Sequence, residues 1–194
     1  TVPAGSTSAT FTLTTFSVSV STPVTITASY AGATRTAGLT VTNSLTMTTG
    51  TWNAGTFNHS IAGAWNSSSG TFTFNAGTST ITLSSANPNI TTKLPPTDPF
   101  FNLTLNNGGT LQSNVQVSQD LVITGTLNTN NFNLTVLRHL TGGGTLQGLA
   151  GGAQELVTVG GDFTVATFTA SGPTGAKLLL NGATQPVSVS AHSF

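Results

Sequence analysis

The sequence predicts an all-β protein made of stacked strand-and-corner units, and three observations indicate it. A small polar residue followed by Leu or Phe, any residue and an aliphatic residue recurs along the chain. Gly-Thr followed by Leu or an aromatic residue recurs beside it. The polar residues are mostly Thr, Ser, Asn and Gly, which favour strands and tight turns. Copies of the first pattern occupy 44–47, 102–105, 120–123, 133–136 and 162–165.

Charge is scarce in this chain. It holds 4 Lys+Arg and 4 Asp+Glu, so 4% of its residues are charged and its formal net charge is zero. Ordinary soluble proteins have about 25% charged residues. Without a basic patch we expect no nucleic-acid partner. No apolar run of the length that a transmembrane helix needs occurs, so we expect no membrane span. The sparse charge favours an extracellular or cell-surface location over the cytosol.

Residues 1–42 differ from the rest and predict three alternating strands. These are Ser8–Thr15, Pro23–Tyr30 and Ala33–Thr42, with a hairpin turn at Tyr30–Ala33. The stretches VPAGSTSATFTLT (2–14), VTITASY (24–30) and LTV (39–41) resemble the C-terminal half of bacterial immunoglobulin-like repeats. That resemblance implies a partial immunoglobulin-like sandwich.

Three strands are too few for a complete sandwich, which needs about seven. The missing strands are expected either upstream in a longer parent chain or in a neighbouring subunit that adds a strand. Partners are therefore expected to be identical subunits or neighbouring domains. The candidate assembly strand is Thr10, Phe11, Thr12 and Leu13.

Residues 43–194 are predicted to form a β-solenoid-like, or β-helix-like, stacked domain. The succession of Asn-Leu-Thr-aliphatic and Gly-Thr-Leu units resembles the β-solenoid regions of large bacterial surface and adhesin-like proteins. The copies are spaced unevenly, so loop lengths are expected to differ between turns. The alternative fold is two successive β-sandwich domains. Residues predicted to point inward are Leu103, Leu105, Leu111, Val115, Val117, Leu121, Ile123, Leu127, Phe132, Leu134 and Val136.

Two stretches interrupt the repeat pattern. Residues 86–101, here called the proline segment, hold four of the eight prolines and two of the eight charges. Because proline cannot donate to a strand ladder, this segment is predicted to be a loop or excursion, where binding sites often lie. Residues 142–152 are rich in glycine and are predicted to be a mobile link.

The titratable residues predict no catalytic site. The acids are Asp98, Asp120, Glu155 and Asp162, and the histidines are His59, His139 and His192. Asp120 and Asp162 occupy equivalent pattern positions and are predicted to stack on one edge, in the turn role that Asn residues fill elsewhere. Acid–base catalysis needs titratable groups that converge, and the pattern does not predict this. No metal motif and no cofactor-binding motif occurs, so no metal and no cofactor are expected.

Binding is the one site chemistry that the sequence indicates. Aromatic residues cluster between Trp52 and Phe74, and they predict either a strip that stacks on sugar rings or the filling of a wide core. The proline segment adds two charged residues. The candidate ligand contacts are Trp52, Trp65, Phe72, Lys93 and Asp98. Acceptor motifs compatible with glycosylation occur at Asn58, Asn66, Asn89, Asn102 and Asn133.

The function predicted from these observations is structural. We expect a non-catalytic extracellular protein that forms part of a bacterial surface fibre or an adhesin stalk. The alternative prediction is a carbohydrate-binding adhesin module that uses the aromatic cluster or the proline segment.

Overall fold

The computed structural model describes residues 28–30, 33–35, 39–93, 97–148, 155–170, 177–182 and 187–193. Regular structure in these residues is entirely β. The strands are β1 (Ala28–Tyr30), β2 (Ala33–Arg35), β3 (Thr40–Val41), β4 (Leu45–Thr46), β5 (Gly50–Asn53), β6 (Asn58–Ile61), β7 (Trp65–Asn66), β8 (Phe72–Asn75), β9 (Thr80–Leu83), β10 (Asn89–Thr91), β11 (Asn102–Leu105), β12 (Gly109–Leu111), β13 (Val115–Val117), β14 (Leu121–Ile123), β15 (Thr126–Asn128), β16 (Leu134–Val136), β17 (Leu140–Gly148), β18 (Leu156–Val159), β19 (Phe163–Ala170), β20 (Lys177–Leu180) and β21 (Val187–Ser193).

From β3 onward the strands wind into a β-solenoid of about six turns, with three faces in which the strands pair in parallel. The first face stacks β3, β6, β9, β11 and β14, and continues through the first halves of β17, β19 and β21. The second face stacks β4, β7, β10, β12 and β15, and continues through the second halves of the same three strands. The third face holds β5 with β8, and then β13, β16, β18 and β20.

Each turn is closed by backbone pairing with the turn before it. Leu103 on β11 pairs with Leu121 on β14, 18 residues later, and Leu140 pairs with Phe163, 23 residues later. Parallel neighbours lie about 4.8 Å apart. The turns therefore differ in length along the chain and still advance by the same step along the axis.

The core is a set of apolar columns inside the three faces. On the first face one column runs through Ile81, Leu103, Leu121, Leu140 and Phe163, and all of these side chains are buried. Stacking gives each strand an apolar neighbour above and below, which no isolated turn possesses. The inward residues predicted from the sequence are buried as expected, except Phe132, which is half-buried.

The copies of the first sequence pattern do not all occupy the same position within a solenoid turn. The copy at 102–105 lies on the first face, that at 133–136 on the third, and Leu45 on the second. Uneven spacing therefore comes partly from copies that sit on different faces. Each copy marks an inward-facing strand, whichever face that strand occupies.

Both predicted interruptions are shorter than expected. Within the proline segment, β10 pairs with β7 and β12, and Ile90 is fully buried. The prediction of a loop across the whole of 86–101 is therefore wrong for β10. The predicted mobile link begins inside β17, which stays paired with β15 and β19 as far as Gly148. Residues 149–152 lie outside the described residues.

Close packing against the preceding turn requires glycine at position 142 of β17. Gly142 has φ +124°, and a Cβ there would lie 2.0 Å from the carbonyl oxygen of Ile123 on the preceding turn. Only glycine permits both the backbone angle and this close approach. The local glycine richness is thus part of a strand with a register shift between Gly142 and Thr145.

The N-terminal region is described in part. β1 and β2 pair antiparallel with Tyr30 opposite Ala33, as the predicted hairpin requires. The predicted third strand, Ala33–Thr42, is divided, since β3 belongs to the first turn of the solenoid and pairs with β6. The candidate assembly strand at 10–13 lies outside the described residues, and the immunoglobulin-like arrangement stays a prediction.

Candidate functional site

The aromatic residues predicted as ligand contacts pack together inside the first turns. Trp65 and Phe72 are buried, and Trp52 is half-buried. The ring centroids of Trp65 and Phe100 are 4.8 Å apart, and those of Trp52 and Phe74 are 5.2 Å apart. These rings fill a wide core, the second of the two sequence interpretations. The buried faces of Trp65 and Phe72 offer no stacking surface to a sugar.

The top of this cluster contains a buried histidine. His59 occupies the same inner column as Ile81. Its Nδ1 accepts a hydrogen bond from the Leu39 amide at 2.7 Å, and its Nε2 lies 2.9 Å from the Ala54 carbonyl oxygen, to which it donates. Those two partners assign the neutral ring with its proton on Nε2. His59 therefore has a structural role at the first turn.

The other two candidate ligand contacts form an ion pair with each other. Lys93 Nζ lies 2.9 Å from Asp98 Oδ2, and the two side chains are only 15% and 11% exposed. Asp98 Oδ2 also accepts a hydrogen bond from the Phe74 amide, and Lys93 donates to the Phe72 carbonyl. Each charge thus contacts both its partner and the backbone of β8.

This ion pair bonds two backbone groups on one edge of β8. On the side of β8 that faces β5, Asn75 accepts from the Ala54 amide. The alternating groups, the Phe72 carbonyl and the Phe74 amide, point to the opposite side, toward the next turn of the third face. Among the described residues of that turn, Phe100 forms a bridge to Val117 on β13. Lys93 and Asp98 satisfy these two groups, which a strand would otherwise pair.

A cleft opens beside this ion pair, and Asp98 is part of its lining. It has a volume of about 340 Å³, within the range of small-ligand sites. Its lining mixes an acid, an amide, hydroxyls and apolar surfaces drawn from successive turns. The lining residues are Phe74, Asn75, Ala76, Gly77, Thr97, Asp98, Pro99, Phe101 and Ser118. Of the predicted ligand contacts, Asp98 lines the cleft and Lys93 does not.

Most of the cleft was not predicted from the sequence. Asn75, Phe101 and Ser118 lie far apart along the chain and meet only because the turns stack. The available signal was the proline segment, which holds Asp98 and Pro99. Asp98 and Pro99 both line the cleft.

Asp120 and Asp162 stack on one edge, as the sequence predicted, with His139 between them. Leu121 donates its amide to the His139 carbonyl, and Leu140 donates to that of Asp162. Asp120 pairs with Arg138 at 2.9 Å, and His139 Nδ1 lies 3.2 Å from Asp162 Oδ2.

These side chains also bond the backbone at the corner. Asn102 Oδ1 accepts from the Asp120 amide, and His139 Nδ1 accepts from the Asp162 amide. Asn102 and His139 thus each link their own turn to the backbone of the next turn, and the turn role expected of the Asp120 and Asp162 side chains stays a prediction. In the part of the chain that the structure describes, no three His, Cys, Asp or Glu side chains form a group able to hold a metal ion.

Glu155 is a buried acid on another corner, and the sequence did not single it out. Its Oε1 lies 2.5 Å from Thr129 Oγ1, and its Oε2 accepts from the Asn131 amide at 3.1 Å. Glu155 is 1% exposed. Asn131 has φ +66°, so the carboxyl holds a strained corner in place. These hydrogen bonds join Glu155 to residues of the preceding turn, so the geometry indicates a structural role for Glu155.

Comparisons with known proteins give no relative for this chain. No protein-family model, no curated protein and no solved structure matches it. Among the described residues, no helix has the length and apolar character needed to cross a membrane.

Proposed function

We propose that this chain is a non-catalytic structural segment of an extracellular bacterial surface fibre or adhesin stalk. The observation that carries the proposal is the unbroken first face, in which every strand from β3 to β21 pairs in parallel with its neighbours. A continuous ladder over a mainly apolar core produces a stiff rod whose length grows with each added turn.

The placement of the charged groups supports this proposal. Lys93 and Asp98 neutralise each other and complete the backbone pairing of β8. Arg138 pairs with Asp120, and His139 lies beside Asp162 on a solvent-facing edge. These groups stabilise corners and strand edges, which is the work of a scaffold.

The outer surface of the first face supports it as well. One outward column is neutral throughout and consists mainly of hydroxyl side chains. Its members from β3 to β19 are Thr40, Ser60, Thr82, Thr104, Val122, Thr141 and Thr164. Neutral hydroxyls keep a surface hydrated without long-range repulsion, so rods of this kind can lie side by side.

The proposed route of assembly is strand addition through residues 1–42, with Thr10–Leu13 as the donated strand. Deletion of residues 1–15 is expected to abolish polymers while the solenoid keeps its circular dichroism spectrum and cooperative melting. Polymers that persist in the truncated protein would contradict strand addition.

The second candidate function is carbohydrate binding, and the cleft beside β8 favours it. A glycan array is the direct test. Trp65→Ala is a poor probe of this function, because Trp65 is 1% exposed in the core and its truncation tests folding. Variants of the cleft itself are required.

A further inference from the structure

We propose that the cleft between β8 and the proline segment binds a single neutral sugar residue, such as a terminal hexose of a glycan. This inference deepens the second candidate function, carbohydrate binding, and does not depend on filament assembly. It names a site that differs from the predicted aromatic contacts Trp52, Trp65 and Phe72, since none of these three residues lines the cleft.

The lining provides the two surfaces that a pyranose ring requires. Phe101 and Pro99 supply apolar area for the C–H face of the ring. Asn75 and the Thr97 and Ser118 hydroxyls supply donors and acceptors for its hydroxyl groups. A volume of about 340 Å³ is small, so it fits one sugar residue rather than a long oligosaccharide.

Asp98 is held in a fixed position before any ligand arrives. Its Oδ2 is bonded by Lys93 at 2.9 Å and by the Phe74 amide at 3.1 Å. A carboxylate already held in place loses little freedom when a hydroxyl donates to it, which lowers the entropic cost of binding. Fixed carboxylates are effective acceptors for sugar hydroxyls, because charge-assisted hydrogen bonds are the stronger kind.

The charges favour a neutral ligand over an anionic one. Among the described lining residues there is the carboxylate of Asp98 and no Lys or Arg. Lys93, which lies beside Asp98, is bonded to it and to the Phe72 carbonyl, so the pair is neutral overall. An acidic sugar would therefore find no uncompensated cation among the described lining residues. A wholly apolar ligand would leave the polar lining unpaired.

Asn75 and Asn53 form a matched pair for the experiment. Their side chains bond each other, Asn75 Nδ2 to Asn53 Oδ1 at 2.7 Å, and both residues are exposed. Only Asn75 lines the cleft. Asn75→Ala and Asn53→Ala therefore remove the same side-chain bond, and only Asn75→Ala removes an amide from the site.

The test is protein-observed NMR titration of the full chain with methyl glycosides of glucose, galactose, mannose and N-acetylglucosamine, plus methyl glucuronide as the anionic probe. We expect saturable millimolar binding of at least one neutral glycoside, with shifts concentrated at cleft residues. Asn75→Ala and Ser118→Ala are each expected to weaken binding about tenfold, the effect of one lost hydrogen bond. Asn53→Ala is expected to bind like the parent protein.

Three results would overturn the proposal, and they differ in whether carbohydrate binding is rejected with it. Saturable binding that Asn75→Ala and Ser118→Ala leave unchanged would reject this site and keep carbohydrate binding. Glucuronide binding as tight as that of the neutral sugars would reject the charge argument. No binding to any glycoside or to a glycan array would reject both the site and the carbohydrate-binding function. The structural function is tested separately by filament imaging.

Discussion

Lys93 and Asp98 stand on either side of residues 94–97 and form a largely buried ion pair of 2.9 Å against the edge of β8. Asp98 accepts from the Phe74 amide, and Lys93 donates to the Phe72 carbonyl. Two charged side chains thus do what a neighbouring strand does elsewhere in the ladder. The stability of the second and third turns is expected to depend on this pair.

Removal of both partners should cost less than the sum of the two single removals. Lys93→Met leaves the Asp98 carboxylate buried without its cation, and we expect a loss of about 3 kcal/mol in the free energy of unfolding. Asp98→Asn removes the carboxylate charge and leaves Lys93 without its anion, so it is also expected to destabilise the protein. The double variant should be less destabilised than the sum of the single effects by at least about 1 kcal/mol. Additive effects in urea denaturation would contradict this coupling.

Glu155→Gln is expected to leave stability unchanged or to raise it. Thr129 Oγ1 carries one proton, yet it lies within bonding distance of both the Gln147 carbonyl oxygen and Glu155 Oε1. A Gln amide can donate to Thr129 Oγ1, which then donates to Gln147, and its oxygen still accepts from the Asn131 amide. The substitution also removes a buried charge.

Glu155→Ala serves as the contrasting variant. It leaves the Asn131 amide and the Thr129 hydroxyl without this partner, and we expect a loss of about 2–3 kcal/mol. Thermal denaturation at neutral pH measures both variants. If Glu155→Gln were destabilised as much as Glu155→Ala, the negative charge itself would be required at this corner.

Gly142 and Gly143 are neighbours that are expected to differ in how well they tolerate substitution by alanine. Gly142→Ala places a methyl group 2.0 Å from the Ile123 carbonyl oxygen at φ +124°, and we expect it to cost about 3 kcal/mol or to prevent folding. An added Cβ at Gly143 meets no atom within 4 Å, so Gly143→Ala should change stability by less than about 0.5 kcal/mol. Equal melting temperatures for the two variants would contradict the close approach of β17 to the preceding turn.

Substitutions at Leu121 and Val122 test which side chains of the first face point into the core. Leu121 is fully buried in the inner column, whereas Val122 is half-buried in the outer, mainly hydroxyl column. Leu121→Ala should cost about 2–5 kcal/mol. Val122→Thr should be nearly neutral, because Thr occupies the same register position at Thr104 and Thr141. A larger loss of stability for Val122→Thr than for Leu121→Ala in urea denaturation would show that Val122, and not Leu121, faces the core.

The sequence was sufficient for the all-β class, the solenoid and most of the inner columns, because each of these follows from alternation within short segments. Leu103, Leu121 and Leu134 were all recognised as inward residues. Alternation does not show the face on which a segment lies, so the pattern places Leu134 in one series with Leu103 and Leu121, although Leu134 belongs to the third face.

Local composition leads to incorrect predictions at two places, and the physical reason is the same for both. Pro88 suggested a loop, yet the next strand, β10, begins directly after it and buries Ile90. The glycines after Thr141 suggested a mobile link, yet Gly142 and Gly144 are needed where the previous turn approaches closely. In both cases the deciding contact comes from a residue about a turn away, which short-range patterns do not contain.

The cleft and the Glu155 corner were missed for the same reason. Each is built from residues on successive turns, such as Asn75 with Ser118 and Thr129 with Glu155. The sequence shows only the position of the proline segment and the charges of Lys93 and Asp98. The chemistry of the cleft depends on stacking register, which requires the structure.

We propose that this β-solenoid is a building element of an extracellular filament, and electron microscopy of the purified full chain at increasing concentration is the decisive experiment. We expect straight rods or filaments that lengthen with concentration, and their loss when residues 1–15 are deleted. Isolated particles of single-chain size at every concentration, from protein with an intact β spectrum and cooperative melting, would contradict it.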